Sequence, residues 1–74
     1  MFNIFNRYFM GLEQIAQNRT HENFISIQKV RTDILNDYTS GNLSDLEKRT
    51  LWNITEIIMR KMREELGLVE RSGE

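Results

Sequence analysis

The stretch that comes nearest to a ligand site runs from Asn36 to Glu47 and reads NDYTSGNLSDLE. Laid on the twelve-position register of a calcium loop, Gly41 falls at position 6, Leu43 at 8 and Glu47 at 12. Ser40 and Ser44 could donate oxygens at positions 5 and 9. Position 1, however, is Asn36 and position 3 is Tyr38, so two of the strongest carboxylate ligands are missing. A glycine turn followed by a helix cap explains Gly41, Ser44 and Glu47 without a cation. His21 beside Glu22, and Asp33 four residues before Asp37, lack a third partner that would complete a site. The chain contains no GxSxG, HExxH, P-loop or GxGxxG pattern. The sequence therefore predicts no enzyme, no cofactor, no metal and no small-molecule substrate.

Basic residues are the next candidates. Lys48-Arg49 and the Arg60–Arg63 cluster could meet phosphates, so a small nucleic-acid-binding regulator using Arg49, Arg60, Lys61 and Arg63 is one reading. Against it, Asp45, Glu47, Glu56, Glu64 and Glu65 interleave the cations, and the net charge is −1. A solvated face laced by i,i+4 pairs (Asp45–Arg49, Glu56–Arg60, Arg60–Glu64) is the plainer expectation.

Apolar and aromatic spacing carries the stronger signal. The chain opens MFNIFNRYF, where four of nine residues are aromatic against seven in the whole chain. From about residue 3 to 17, Ile4, Phe5, Tyr8, Phe9, Leu12, Ile15 and Ala16 share an arc of about 160°, joined by Met1 and Phe2. A second helix is expected from His21 to Tyr38, capped by Thr20, with Glu22 in its first turn. Its apolar arc holds Phe24, Ile27, Val30, Ile34, Leu35 and Tyr38, with Arg31 in the middle of it. That arginine recognises a partner, stacks on Trp52 or snorkels to solvent. Ser44-Asp-Leu-Glu47 is a capping box that opens a third helix, ended by Gly67. Apolar residues from Leu51 to Leu66 span an arc of about 220° on that helix, more than one neighbour requires.

The elements these residues need are therefore helices. Seventy-four residues without proline or cysteine allow one small domain, with disulfides excluded. Helices two and three, about 26 and 32 Å long, are joined by a short glycine linker and should form an antiparallel αα-hairpin. Counting outward from Gly41 sets Tyr38 near Leu46, Arg31 near Trp52 and Phe24 near Met59. The expected fold is an all-α three-helix bundle, an amphipathic N-terminal helix packed on that hairpin. Residues 1–68 form the domain and 69–74 a frayed tail. No apolar run approaches the ~20 residues of a membrane span, and helix one sets Arg7 against Glu13 on an otherwise uncharged polar face. We expect a cytoplasmic protein without membrane contact. The abundance of Asn and Ile suggests an A/T-rich bacterial or phage genome. The functional expectation is a protein–protein interaction module, a regulator, inhibitor or adaptor that also self-associates as a homodimer. Its expected contacts are Phe5, Phe9, Arg31, Trp52, Met59 and Met62.

Overall fold

Local capping signals alone account for most of the helix boundaries. In a computed structural model that describes residues 3–67, three helices form: α1 (Ile4–Gln17), α2 (His21–Thr39) and α3 (Asp45–Leu66). The tail expected at 69–74, and Met1 and Phe2, lie outside the described residues. Asn3 caps α1 by accepting from the Asn6 amide at 2.8 Å. Thr20 caps α2 by accepting from the Asn23 amide at 3.1 Å. The capping box closes as its sequence requires: the Glu47 amide donates to Ser44 Oγ at 3.1 Å, and the Ser44 amide donates to Glu47 Oε1 at 2.9 Å.

Between α2 and α3 the chain turns through a Schellman motif. The Asn42 amide donates to the Asp37 carbonyl at 2.8 Å and the Gly41 amide to the Tyr38 carbonyl at 3.1 Å. Gly41 has φ of 85°, a left-handed value that an L side chain resists. Two residues on, the buried Leu43 pins the turn to the core. Gly67 repeats the left-handed ending at α3 with φ of 72°.

Leu12 is α1's fully buried residue, and Ile27 and Ile34 are those of α2. From α3 come Leu51, Ile58, Met59 and Met62, with Thr55 as the buried polar neighbour. The Thr55 hydroxyl donates to the Trp52 carbonyl at 2.6 Å, which satisfies it. Each fully buried apolar side chain stabilises by about 1.5–3 kcal/mol, so α3 is the central element, as its wide arc predicts.

Contacts fix the register of the hairpin. Arg31 lies over Trp52 at 4.0 Å and Lys48 over Tyr38 at 4.4 Å, while the Tyr38 hydroxyl donates to Asp45 at 3.3 Å. Arg31 therefore meets Trp52, as counting outward from Gly41 predicts. Leu46 differs: Tyr38 meets Asp45 and Lys48, and Leu46 is 71% exposed. On a helix, Asp45 and Lys48 share a face and Leu46 lies 100° from Asp45, so only the former two can turn toward α2. Helix α1 is tied to α2 by Tyr8 and Asp37, and the loop that follows it to the end of α3 by an Arg19–Glu65 pair at 2.6 Å. It thus runs antiparallel to α2 and alongside α3 in the same direction.

Candidate functional site

The expected contact residues divide into two groups. Arg31, Trp52, Met59 and Met62 belong to the α2–α3 packing, and Phe5 and Phe9 to one flank of α1. The guanidinium of Arg31 stacks on Trp52 and pairs with Glu56 at 2.9 Å. It also approaches Met59 Sδ at 3.2 Å, while its buried Nε–H meets no acceptor among the described residues. A planar guanidinium suits this position because its face covers an aromatic ring while its edge reaches a carboxylate. The structure thus lays Arg31 on Trp52, the stacking that the sequence offers as one of its readings.

Met59 and Met62 are 6% and 0% exposed. Both pack into the core, so in this fold they offer no surface to a partner. The expectation that they do is corrected by burial. Trp52 is half-buried and reaches the surface in a groove of about 420 Å³ shared with Leu35, Lys48, Arg49 and Asn53.

The exposed surplus of α3 lies at the opposite edge of its arc. Ile57 is 60% exposed, although the periodicity assigned it to the apolar arc. With Leu46 it forms an outward apolar face, apart from the expected contacts Trp52, Met59 and Met62. The missed signal is in the sequence: Leu46, Thr50, Asn53 and Ile57 follow at spacings of four, three and four with no charge among them.

On α1, the Phe5 and Phe9 rings stack with centroids 6.4 Å apart and planes 16° from parallel. Phe5 is half-buried and Phe9 is 45% exposed. Tyr8 points to α2, so Phe5 and Phe9, on the other side of Leu12, take the flank toward α3.

The α1–α2 seam is polar instead. A cleft of about 340 Å³ there is lined by Ile4, Arg7, Tyr8, Asp33 and Asp37. The Tyr8 hydroxyl donates to Asp37 Oδ2 at 2.5 Å, and the Asn42 side chain donates to Asp37 Oδ1 at 3.1 Å. The Tyr8 bond, seconded by Asn42, holds the Asp37 carboxyl below the usual carboxylate range. Burial, then the bond to Asp37 and its charge, push the Tyr8 phenol well above its ordinary value. This pairing is chemically a latch. Neither group is left free to act as an acid or base, and no cluster of three metal-ligating side chains occurs among the described residues.

Charges on α3 distribute differently from the i,i+4 expectation. Asp45–Arg49 forms at 3.1 Å. Glu56 turns instead to Arg31, and Arg60 forms no ion pair among the described residues. Arg60, Lys61 and Arg63 fan out around the helix over about 160°, which is not a single basic stripe. No described helix is long and apolar enough to cross a membrane. Comparison with protein-family models, with curated proteins and with solved structures finds no match for this chain.

Proposed function

We propose that this protein is a small helical protein–protein interaction module that self-associates and acts on its target as a regulator, inhibitor or adaptor. One observation carries the reading. Large apolar side chains stand exposed on the outer side of α3 and on the α1 flank beside it: Leu46, Ile57 and Phe9. A solvated helix would carry charged residues there. Phe5 and Phe9 supply aromatic contact area of the kind enriched at interfaces, while Trp52, stacked under Arg31, belongs to the α2–α3 packing. The mechanism is burial of this surface against a partner helix or groove.

Sedimentation or light scattering on the purified chain tests the self-association. A particle mass that rises with concentration supports it, and a strict monomer at high micromolar concentration contradicts it. The competing reading, a nucleic-acid regulator using Arg49, Arg60, Lys61 and Arg63, draws on Arg60, which forms no ion pair among the described residues. Anisotropy titrations of duplex DNA at two salt concentrations separate the two. Binding that collapses with added salt supports the nucleic-acid reading, and no binding at low salt removes it.

A further inference from the structure

Large apolar side chains are exposed at Met10, Ile25 and Leu35 as well, but Leu46 and Ile57 share one stripe of α3. Leu46, Thr50, Asn53 and Ile57 run along α3 on the side away from the core. Leu46, Asn53 and Ile57 are exposed and Thr50 is half-buried. Their four-three-four spacing is that of the a and d positions of a coiled-coil seam. The chain is 28% charged, yet none of the four positions is. At the helix surface farthest from the core, where charges are usual, this stripe presents apolar ends and an uncharged polar centre.

That order reads the same from either end: apolar, polar, polar, apolar. A two-fold axis midway between Thr50 and Asn53 sets Leu46 against the partner's Ile57, and Thr50 against the partner's Asn53. Apolar groups then meet apolar groups and hydrogen-bonding groups meet each other. Charge follows the same symmetry. Arg49 and Glu56 occupy the same flank of the stripe, and the axis brings Arg49 of one copy beside the partner's Glu56, twice. Both side chains are exposed enough to extend their internal pairs, at 69% and 46%. Antiparallel pairing also opposes the two helix dipoles.

We infer that the outer stripe of α3 is a self-docking seam, and that its occupant is the same stripe of a second copy, lying antiparallel. The inference rests on the interaction-module reading above and names its partner. Four residues per copy make a small contact. The interface therefore falls at the small end of the size range for specific complexes, with affinity in the micromolar range.

Sedimentation equilibrium of wild type, Ile57→Asp and Phe9→Asp is the first experiment, with circular dichroism confirming that each stays helical. Wild type is expected to dimerise, and Ile57→Asp to weaken dimerisation at least tenfold. The chain has no cysteine, so orientation can be read by crosslinking. Leu46→Cys and Ile57→Cys chains, one carrying a mass tag, are mixed and oxidised. Antiparallel docking predicts the mixed disulfide. It predicts little Leu46→Cys self-crosslinking, because those positions then lie about 17 Å apart along the axis, beyond disulfide reach. Predominant Leu46→Cys self-crosslinking overturns the proposal. So does dimerisation that survives Ile57→Asp but not Phe9→Asp, which would leave the interaction-module reading standing. A wild-type chain that stays monomeric up to about 1 mM overturns both the seam and the self-association.

Discussion

The two edges of α3's apolar arc meet different fates. At one edge Trp52 and Met59 are covered by α2, with Arg31 laid over the ring and tied to Glu56. At the other edge Ile57 and, one step beyond, Leu46 face outward, largely uncovered by the described residues. Both edges are apolar in sequence. What separates them is which side of the hairpin the neighbouring helices take. Arc width announces that something must cover a helix, and topology decides whether that cover is internal.

The largest effect should come from the shared floor between the edges. Leu51→Ala or Met62→Ala removes fully buried atoms from a core with few other residues, at a cost of about 2–5 kcal/mol by chemical denaturation. Such a variant melts near room temperature or fails to fold. At the covered edge, Arg31→Ala uncovers Trp52 and releases Glu56, and is expected to cost roughly 1–3 kcal/mol. Its Trp52 emission should shift to the red. Arg31→Met keeps a long stem over the ring and should recover most of that loss, because the buried Nε–H of Arg31 has no acceptor among the described residues to lose. Equal losses in both variants would mean that the charge, not the cover, matters there.

Acid and alkali isolate the helix that flanks the outward edge. Asp37 has its folded pKa lowered, so its contribution is present above roughly pH 4 and is lost as pH falls through the folded value. Tyr8 has its folded pKa raised, so its contribution is intact below roughly pH 10 and is lost as pH climbs through the folded value. Tyr8→Phe should flatten both limbs of a denaturation profile against pH. An unchanged profile would show that the Tyr8–Asp37 bond does not hold α1 in solution. The smallest effect belongs to the outward edge itself. In dilute solution Ile57→Asp should change stability by no more than about 0.5 kcal/mol, because an exposed side chain has little packing to lose.

Much of this was legible from short-range signals. The Ser44–Glu47 box, the Thr20 cap and Gly67 set helix ends because each satisfies backbone groups within one turn, and distant residues do not alter that. The Arg31–Trp52 contact was legible too, since a short turn at Gly41 leaves little freedom in hairpin register. The fate of the arc was not. A helical wheel orders residues around an axis but does not say on which side of the hairpin α1 settles. The excess could therefore be assigned to Met59 and Met62, which are core, rather than to Ile57. Glu56 was mispaired for a related reason: Arg60 and Arg31 both lie within its reach, and only the tertiary position of Arg31 decides between them. The Tyr8–Asp37 bond spans 29 residues, and no periodicity encodes it.

The central claim is that one edge of α3 is structural and the other is a docking surface. A nitrogen-15 amide spectrum followed on dilution from about 1 mM to about 20 µM addresses both edges in one sample. The account predicts concentration-dependent shifts at Leu46, Thr50, Asn53 and Ile57, with the Trp52 indole and the Arg31 amide unmoved. Shifts centred on Trp52 and Arg31, or a spectrum that does not change across the series, would contradict it.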